Sequence, residues 1–270
     1  MPTQSEKCTT FKQLHHRDGA FIIPNPWDIG SAKMLEGLGF EALATTSAAF
    51  ALTLGCADGD VTLEQKLAHC EQLAHATSVP INADFENGFA DDPARAAANV
   101  LRVVETGIAG CSIEDFSRDS QTLYDFSESV ERVQAAAEAI APLPLDFQLT
   151  ARAENLLRGV NDLDDTIKRL QAYSKAGASV LYAPGLSTLD QLNQVTNELD
   201  KPFNVLGPFF QNVTAEQFAA SGAKRISLGS ALNSACLSPL IEAGLEMLKD
   251  GSLNWTAGMA SPKDVQDLLG

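Results

Sequence analysis

Residues 80–115 read PINADFENGFADDPARAAANVLRVVETGIAGCSIED, and this stretch decides the fold. Two short apolar runs, Pro80–Phe85 and Gly110–Asp115, flank a longer segment with the punctuation of a helix. Asp92 is typical of a helix N-cap because a proline follows it, and Gly107 stands where a helix should stop. Runs that are almost continuously apolar are typical of strands buried on both faces of a parallel sheet. The stretch therefore predicts one strand–helix–strand unit of a parallel sheet.

The same alternation continues along the chain and gives eight predicted strands. Repeated units of this kind imply crossover connections, and eight of them close into a barrel. A doubly wound open sheet is the alternative, but the turn after the first strand reads Pro24-Asn-Pro-Trp-Asp28, without the usual glycines. We predict a single α/β domain over residues 1–270, a (β/α)8 TIM-type barrel with extra C-terminal helices. The predicted strands are Ala20–Pro24, Ala42–Ser47, Pro80–Phe85, Gly110–Asp115, Phe147–Arg152, Ser179–Ala183, Pro202–Leu206 and Arg225–Gly229.

The segment after the last strand is longer than one closing helix needs. A helix around Leu237–Leu248 and a short one that starts near Pro262 are predicted there. We therefore expect subunit contacts in this part of the chain, about residues 235–270.

Composition excludes several classes of partner. The net charge of −16 argues against nucleic acid and anionic membranes, which require clustered Lys and Arg. The five cysteines are scattered and indicate neither zinc nor a disulfide framework. Cys111 is interpreted as a small buried apolar residue, and the sequence leaves open whether Cys111 or Cys56, in the loop after the second strand, is reactive. The N-terminus lacks an apolar signal core, and no apolar run has membrane-spanning length. We expect a cytoplasmic protein without nucleic-acid or membrane partners.

Acidic residues follow two adjacent predicted strands, at the barrel end where catalytic groups lie. Asp84 and Glu86 end the third strand and Glu114 ends the fourth. Like charges at converging strand ends are unfavourable unless they are protonated or bridged by a cation. Oxygen donors without convergent His or Cys favour a hard ion. The sequence therefore predicts a Mg²⁺ site, with Mn²⁺ as a possible substitute, formed by Asp84, Glu86 and Glu114.

Other polar residues stand at neighbouring strand ends. The second strand ends in Thr45-Thr-Ser47 and is followed by a loop that contains Asp58, while Arg152 ends the fifth strand. Trp27 is predicted at the barrel mouth, either as packing or as part of the substrate pocket. Asp115 is interpreted as a possible cap of the helix that follows it.

These positions resemble the isocitrate lyase and phosphoenolpyruvate mutase superfamily. The matching segments run the length of the chain and fall at the predicted strand ends in the superfamily's order. They are Pro26-Trp-Asp28 with Ser31-Ala32, Thr46-Ser-Ala48, Gly55-Cys-Ala-Asp-Gly59, Asp84-Phe-Glu-Asn-Gly-Phe89, Ser112-Ile-Glu-Asp115, Ala151-Arg-Ala-Glu154, Ala183-Pro-Gly185 and Ser227-Leu-Gly229.

The resemblance implies roles for individual residues. Asp84 would bind Mg²⁺ directly, while Glu86 and Glu114 would hold its waters. Ser47 and neighbouring backbone amides would hold a substrate carboxylate, Arg152 would contact substrate oxygens, and Asp58 would lie on the mobile side of the site. Taken together, the predicted substrate-binding residues are Trp27, Thr46, Ser47, Ala48, Asp84 and Arg152, and the predicted catalytic residues are Arg152, Asp58 and Glu114.

The resemblance also implies a reaction class. Superfamily members act on 2-oxo or 2-hydroxy carboxylates and make or break a C–C or P–C bond beside an enolate, whose developing charge Mg²⁺ stabilises. We predict a Mg²⁺-dependent lyase or decarboxylase that cleaves a C–C bond of a short dicarboxylate such as oxaloacetate or a 2-methylmalate-like acid. One alternative is P–C cleavage of a phosphonopyruvate-like substrate, although no second basic residue is evident beside Arg152. The other is a protein that binds a 2-oxo acid without cleaving it.

One loop departs from the superfamily pattern. Isocitrate and methylisocitrate lyases carry Lys-Lys-Cys-Gly-His after the fourth strand, but Phe116–Tyr124 contains neither Cys nor His, and the mutase segment Lys-Thr-Asn-Ser is also missing. Neither well-known activity is therefore supported. Arg118, Asp119 and Tyr124 are the candidates for an acid–base residue in this loop. Related barrels often exchange their C-terminal helix between subunits, so we predict a homodimer or homotetramer, with residues 235–270 packed on or exchanged with a partner.

Overall fold

Eight short strands alternate with helices in a computed structural model that describes residues 1–269. Each strand lies on or overlaps a predicted one, although the second ends at Ala44, and Ser47 begins a helix instead of ending the strand. The strands are Phe21–Ile23 (β1), Leu43–Ala44 (β2), Ile81–Asp84 (β3), Gly110–Glu114 (β4), Gln148–Arg152 (β5), Val180–Tyr182 (β6), Phe203–Leu206 (β7) and Ala223–Ser227 (β8).

The helices begin where the sequence supplies a cap. Thr62 and Thr214 form capping boxes with Gln65 and Gln217, and the Asp92 side chain accepts the Arg95 backbone N–H, as predicted. The helices are Gln4–His16 (α1), Ile29–Gly37 (α2), Ser47–Thr53 (α3), Leu63–Ala76 (α4), Pro93–Glu105 (α5), Phe126–Ile140 (α6), Leu163–Lys175 (α7), Leu189–Thr196 (α8), Ala215–Ala220 (α9), Ala231–Asp250 (α10) and Pro262–Leu269 (α11), with 3₁₀ turns at Gly207–Phe209 and Asn254–Gly258.

The strands form one parallel sheet that is almost closed. Their order is β1-β8-β7-β6-β5-β4-β3-β2, so each strand from β2 to β8 lies beside the strand that follows it in the chain. The two edge strands, β1 and β2, are joined by a hydrogen bond from the Ala44 N–H to the Pro24 carbonyl at 3.0 Å. The prediction of a (β/α)8 barrel with extra C-terminal helices is confirmed.

The two faces of the strands differ in polarity. The outward side chains, such as Cys111 and Leu149, belong to the apolar core between the sheet and the helices. The inward side chains include Ser112, Asn204 and Arg225, which line the barrel interior. Because the interior is polar, the apolar packing that holds the barrel together lies mainly outside it.

The C-terminal region extends beyond the barrel. Helix α11 packs against α2 of the same chain, where the backbone of Leu268 approaches Gly37 so closely that no side chain would fit there. Within residues 1–269, no helix combines the length and the apolar character that crossing a membrane requires.

Candidate active site

The register of the sheet brings four strand ends to one side of the barrel. Asp84 of β3 lies opposite Ser112 of β4, and Glu114 at the end of β4 lies opposite Arg152 of β5. Arg152 in turn lies opposite Tyr182, the last residue of β6. Because parallel strands end at the same edge, these side chains meet without any contribution from distant loops.

Arg152 lies at the centre of this group. Its Nη1 is 3.6 Å from Asp84 Oδ1 and 3.4 Å from Glu114 Oε2, and its Nε donates to Glu154 Oε1. The guanidinium also lies 5.2 Å from the centre of the Tyr182 ring. Its side chain is 14% exposed, so this cation is largely removed from water yet still accessible.

Two residues that the sequence pattern leaves without a role complete the charge network. Glu154 is fully buried, and its Oε2 accepts from Arg158 Nε at 3.0 Å. Arg158 Nη2 also lies 3.7 Å from Glu114 Oε1, and its guanidinium is 3.6 Å from the centre of the Phe116 ring. One sequence feature could have indicated this pair. Glu154 and Arg158 are four residues apart, directly after a strand that ends in arginine, and oppositely charged residues at this spacing often pair.

Arg118 joins two loops at the mouth of the site. Its Nε lies 2.9 Å from Glu86 Oε2, and its Nη2 donates to the carbonyl of Val61 at 2.9 Å and to that of Gly59. The guanidinium is stacked 4.5 Å from the centre of the Phe89 ring. Arg118 therefore connects the loop after β4 to the loop after α3.

The other two acid–base candidates of the 116–125 loop lie elsewhere. Tyr124 is buried, and its hydroxyl donates to Asp91 and accepts from Asn87 Nδ2, so it belongs to the framework. Asp119 is exposed to solvent. Of the cysteines, Cys111 is buried, and burial raises the pKa of its thiol, whereas Cys56 is only half-buried.

A cavity of about 110 Å³ opens above Arg152. Arg118 and Arg158 line it together with Arg152, so the expectation that no second basic residue stands beside Arg152 is wrong. The residues that line it are Ser47, Asp58, Gly59, Glu86, Glu114, Phe116, Arg118, Gln121, Arg152 and Arg158.

A second cavity, of about 50 Å³, lies deeper in the barrel and shares Arg152 with the first. Asp84 and Tyr182 form part of its wall. The remaining lining residues are Ile23, Asn25, Ala44, Thr45, Asn82, Ser112, Asn204, Arg225, Ser227 and Gly229.

The predicted substrate-binding residues are only partly brought together. Ser47 lines the upper cavity, and its backbone N–H donates to Asp84 Oδ2 at 3.1 Å. Trp27, Thr46 and Ala48 line neither of the two cavities. Trp27 is half-buried, and its carbonyl accepts from His69 Nε2 at 3.1 Å. Substrate contacts by these three residues remain predictions.

Asp115 is not a helix cap. It accepts hydrogen bonds from the Glu154 N–H at 2.7 Å, the Tyr173 hydroxyl at 2.6 Å and Arg169 Nη1 at 3.0 Å. All of these groups lie on the outer side of β4. Asp115 therefore stabilises the framework behind the site.

Burial dominates the electrostatics of the site. It raises the pKa of Glu114 well above its usual range, and the nearby charges of Glu154 and Asp84 add to the effect. Burial also raises the pKa of Glu86 to about 7, although Arg118 opposes the shift. Burial disfavours the charge on Arg152, but the carboxylates of Glu154 and Glu114 outweigh it and raise the pKa of Arg152. The site thus disfavours further negative charge and would be stabilised by a cation.

The side chains fit a hard divalent cation that keeps most of its waters. No group of three Asp, Glu, His or Cys side chains within residues 1–269 is arranged as a complete set of direct ligands. Asp84 Oδ1 has only the 3.6 Å approach of Arg152, so it is available as a ligand, as Mg²⁺ with one or two carboxylates requires. The four carboxyl groups of Asp84, Glu86, Glu114 and Glu154 contact three guanidiniums, so acidic groups outnumber the arginines in this network.

A model of the phosphoenolpyruvate phosphomutase family matches residues 11–248. The chain belongs to the phosphoenolpyruvate phosphomutase family. A crystal structure from Burkholderia cenocepacia, assigned only to the broad class of lyase or mutase, superposes with a TM-score of 0.94 at 44% identity, over 97% of this chain and 95% of that one. The crystal structure of 2,3-dimethylmalate lyase gives a TM-score of 0.86 at 25% identity, over 100% and 96% of the two chains.

Oxaloacetate decarboxylase of Pseudomonas entomophila is 29% identical over 204 residues, which cover 71% of this chain and 67% of that protein. The three relatives are thus named as a lyase or mutase, a 2,3-dimethylmalate lyase and an oxaloacetate decarboxylase. The prediction of an enzyme of the superfamily, of the carbon–carbon lyase class, is confirmed at that level. The family does not specify the substrate, the metal or the residues that carry out the reaction.

Proposed function

We propose that this protein is a Mg²⁺-dependent lyase or decarboxylase that cleaves a C–C bond of a small 2-oxo or 2-hydroxy dicarboxylate through an enolate. The observation that carries the proposal is the position of Arg152. Its guanidinium stands between Asp84 and Glu114 on the floor of a cavity that two further arginines line. A buried, accessible cation at this point suits a substrate on which negative charge grows during the reaction.

The names of the relatives support the substrate class. Oxaloacetate decarboxylase is named for a 2-oxo dicarboxylate, and 2,3-dimethylmalate lyase for a 2-hydroxy dicarboxylate. Both acids are short, which agrees with a cavity of about 110 Å³. A short dicarboxylate is therefore the first class to test.

The chain's own residues would divide the work by position. Arg152 would donate to substrate oxygens and stabilise the charge that develops there, while Ser47 would hold a substrate carboxylate at the start of α3. Asp84 would bind Mg²⁺, or Mn²⁺ in its place, directly, and Glu86 and Glu114 would do so through water. When bound, the ion would supply positive charge beside the oxygen that becomes an enolate.

The outer part of the cavity would exclude water. Arg118 holds the loop after α3, which contains Asp58, against the loop after β4. Closing these loops over the substrate would strengthen the electrostatic contacts inside and protect the enolate from unwanted protonation. Asp58 is the acidic residue on this side of the cavity and stays a catalytic candidate.

The test is product release from a panel of acids. We expect pyruvate or glyoxylate from at least one of oxaloacetate, 2-methylmalate and related acids in the presence of Mg²⁺. Activity should disappear with EDTA and return with added Mg²⁺ or Mn²⁺. Asp84→Asn should need a metal concentration at least about tenfold higher for half-maximal activity, because it removes the charge of the direct ligand. Turnover that EDTA does not affect would contradict the proposed mechanism.

Cleavage of a P–C bond is the second candidate, and one observation favours it. Arg118 and Arg158 line the cavity beside Arg152, so the site has several cations with which to grip a phosphonate. All three, however, already contact carboxyl groups of the protein, and these acidic groups outnumber the three arginines. Phosphate release from phosphonopyruvate, measured beside the acid panel, distinguishes the two reactions.

We also propose that the protein assembles as a homodimer or homotetramer through its C-terminal region. Helix α10 is 20 residues long and exposes a row of apolar side chains to solvent, Leu240, Ile241, Leu245 and Leu248. An apolar groove of about 650 Å³ between α10 and the turn at Asn254–Gly258 continues this surface. A mass measurement in solution should give two or four times the 28.7 kDa of one chain. The variant Leu245→Glu should reduce the mass, because a charge at an apolar interface opposes association.

A further inference from the structure

One hydroxyl group in the lower cavity has a hydrogen-bonding capacity that the framework does not use. Thr45 follows β2 and is fully buried. Its Oγ1 accepts a hydrogen bond from the Asp84 backbone N–H at 2.9 Å and a second from Lys66 Nζ at 2.9 Å. A hydroxyl group has two acceptor positions and one proton. With both acceptor positions occupied, Thr45 can act only as a donor.

The proton of this hydroxyl has no acceptor among the side chains and carbonyls of residues 1–269. Thr45 lines the 50 Å³ cavity whose wall also contains Arg152 and Asp84. A buried donor without an acceptor is unfavourable, so an oxygen atom of a bound molecule at this position would be stabilised. A cavity of about 50 Å³ has room for such an oxygen, and it is less than half the volume of the upper cavity.

Lys66 indicates what kind of oxygen this is. Its side chain is almost completely buried, and its only hydrogen bond within residues 1–269 goes to Thr45. No carboxylate oxygen of residues 1–269 lies within 4.0 Å of the Lys66 ammonium group. An ammonium that donates to a hydroxyl polarises its O–H bond and strengthens it as a donor. A donor that is strengthened in this way favours a negatively charged acceptor.

We propose that Thr45 is a substrate-binding residue whose hydroxyl donates to an anionic oxygen of the substrate, and that Lys66 is the positioning residue that keeps it a donor. The inference rests on the proposed function only in taking an anionic carboxylate as the ligand. It places a second contact below Arg152, inside the barrel. One oxygen of the substrate carboxylate or enolate would therefore point down toward Thr45, while the rest of the molecule occupies the upper cavity.

The test uses the full-length protein with Mg²⁺ and oxalate, an unreactive dianion with the planar shape of a carboxylate joined to an enolate. Calorimetry should show that Thr45→Val weakens oxalate binding about 10- to 100-fold, the range for losing a hydrogen bond to a charged group. Thr45→Ser keeps the hydroxyl and should bind within about threefold of the wild type. Thermal unfolding of each variant reports whether it is folded.

The role of Lys66 is tested by a double-mutant cycle. Lys66→Met frees one acceptor position of Thr45, so oxalate binding should weaken, but less than in Thr45→Val. The double variant should bind oxalate no more weakly than Thr45→Val alone, because Lys66 acts only through that hydroxyl. In the double variant no buried lysine faces a valine. It can therefore replace Thr45→Val in the binding measurement if Thr45→Val alone does not fold. Additive losses in oxalate affinity would mean that Lys66 attracts the dianion through its own charge, which overturns its role as a positioning residue.

Two results of the oxalate calorimetry would overturn the assignment of Thr45. Oxalate affinity that Thr45→Val leaves unchanged would mean that its proton goes to another group, such as a water held by the orphaned Asn82 Oδ1 in the same cavity. An equal loss in Thr45→Ser would mean that the methyl group, not the hydroxyl, matters.

A wild type that binds oxalate but cleaves no acid of the panel contradicts the proposed function and leaves the Thr45 comparison valid. If the wild type cleaves an acid without binding oxalate, the same variants are compared by the KM of that acid, and unchanged values overturn the assignment.

Discussion

Glu114 and Asp115 are neighbours at the end of β4, and the barrel gives them opposite environments. Glu114 points inward, where its nearest cations, Arg152 and Arg158, lie 3.4 and 3.7 Å away. Asp115 points outward and accepts three close hydrogen bonds at 2.6 to 3.0 Å. Both carboxylates are buried, and burial raises the pKa of each. They differ in how many of their hydrogen-bonding positions the surrounding protein occupies at close range.

We expect this difference to separate reactive groups from structural ones better than burial does. A carboxylate with a full set of donors stabilises the fold and has little capacity for a ligand. A carboxylate beside a cavity, with loose ion pairs and an unfavourable charge, costs stability and is available for a cation or a substrate. We expect mutations on the two faces of β4 to affect different measurements.

The largest effect is expected from Glu114→Gln. The change keeps the size of the side chain but removes an ionisable carboxyl group from the cavity, so kcat/KM should fall about 10²- to 10⁴-fold. The free energy of unfolding should stay the same or rise, because the folded state disfavours this charge. Steady-state kinetics and urea unfolding measure the two quantities. A variant that loses stability but keeps its activity would reverse the assignment.

Asp115→Asn should show the opposite pattern. The amide places N–H groups where Tyr173 and Arg169 already donate, and the free energy of unfolding should fall by about 2–4 kcal/mol. The kcat/KM of the folded variant should stay within about fivefold of the wild type. Urea unfolding followed by circular dichroism checks the first value, and kinetics below the unfolding transition checks the second. Full stability in this variant would mean that the three hydrogen bonds contribute little.

Arg118→Lys should have an intermediate effect that is confined to the mouth of the site. Lysine keeps the charge beside Glu86 but cannot also bind the carbonyls of Val61 and Gly59 or stack on Phe89 in the same way. We expect kcat/KM to fall roughly 10- to 100-fold, with faster limited proteolysis of the loop after α3. Arg102→Lys is the matched control, since Arg102 pairs with Glu64 in an exposed ion pair of 2.8 Å far from the cavity. Equal effects in the two variants would contradict a specific role for Arg118.

The smallest effect concerns His15, which lies below the site. Its Nε2 accepts from Arg225 Nη1 at 3.4 Å and its Nδ1–H donates to the Phe11 carbonyl, so the ring is neutral. Burial, with a further contribution from the charge of Arg225, lowers the pKa of His15 to about 3. The pKa of His15 in the folded protein lies below its unfolded value near 6.5, so the unfolded state takes up a proton first as the pH falls. The free energy of unfolding is therefore unaffected by His15 above pH 6.5 and decreases as the pH falls from 6.5 toward 3. At pH 5 the loss should be about 2 kcal/mol.

Urea unfolding at pH 7 and pH 5 measures this loss, with His15→Gln as the comparison because glutamine can still accept from Arg225. The variant should lose about 2 kcal/mol less than the wild type between the two pH values. Equal losses in the two proteins would mean that His15 takes up its proton in the folded state.

The barrel and part of its site could be predicted from the sequence because they depend on local patterns. Apolar runs that alternate with capped helices specify the strand ends, and the strand ends specify where Asp84, Glu114 and Arg152 lie. The spacing of Glu154 and Arg158 could indicate that these two residues pair, but it could not show that Arg158 also reaches Glu114 of the neighbouring strand. Local patterns also could not show that Arg118 turns toward Glu86, while Tyr124 of the same loop turns away toward Asp91.

By itself, the sequence determined the (β/α)8 barrel, the edge of the sheet at which Asp84, Glu114 and Arg152 meet, and the acidic character of that edge. These features follow from periodicity and chain order, which act over a few residues at a time. Only the tertiary structure decided which carboxylates are satisfied and which are left loose, and that Thr45 is held as a donor by Lys66 and Asp84. Such properties depend on how many partners surround an atom in three dimensions, and those partners come from segments that are distant in the chain.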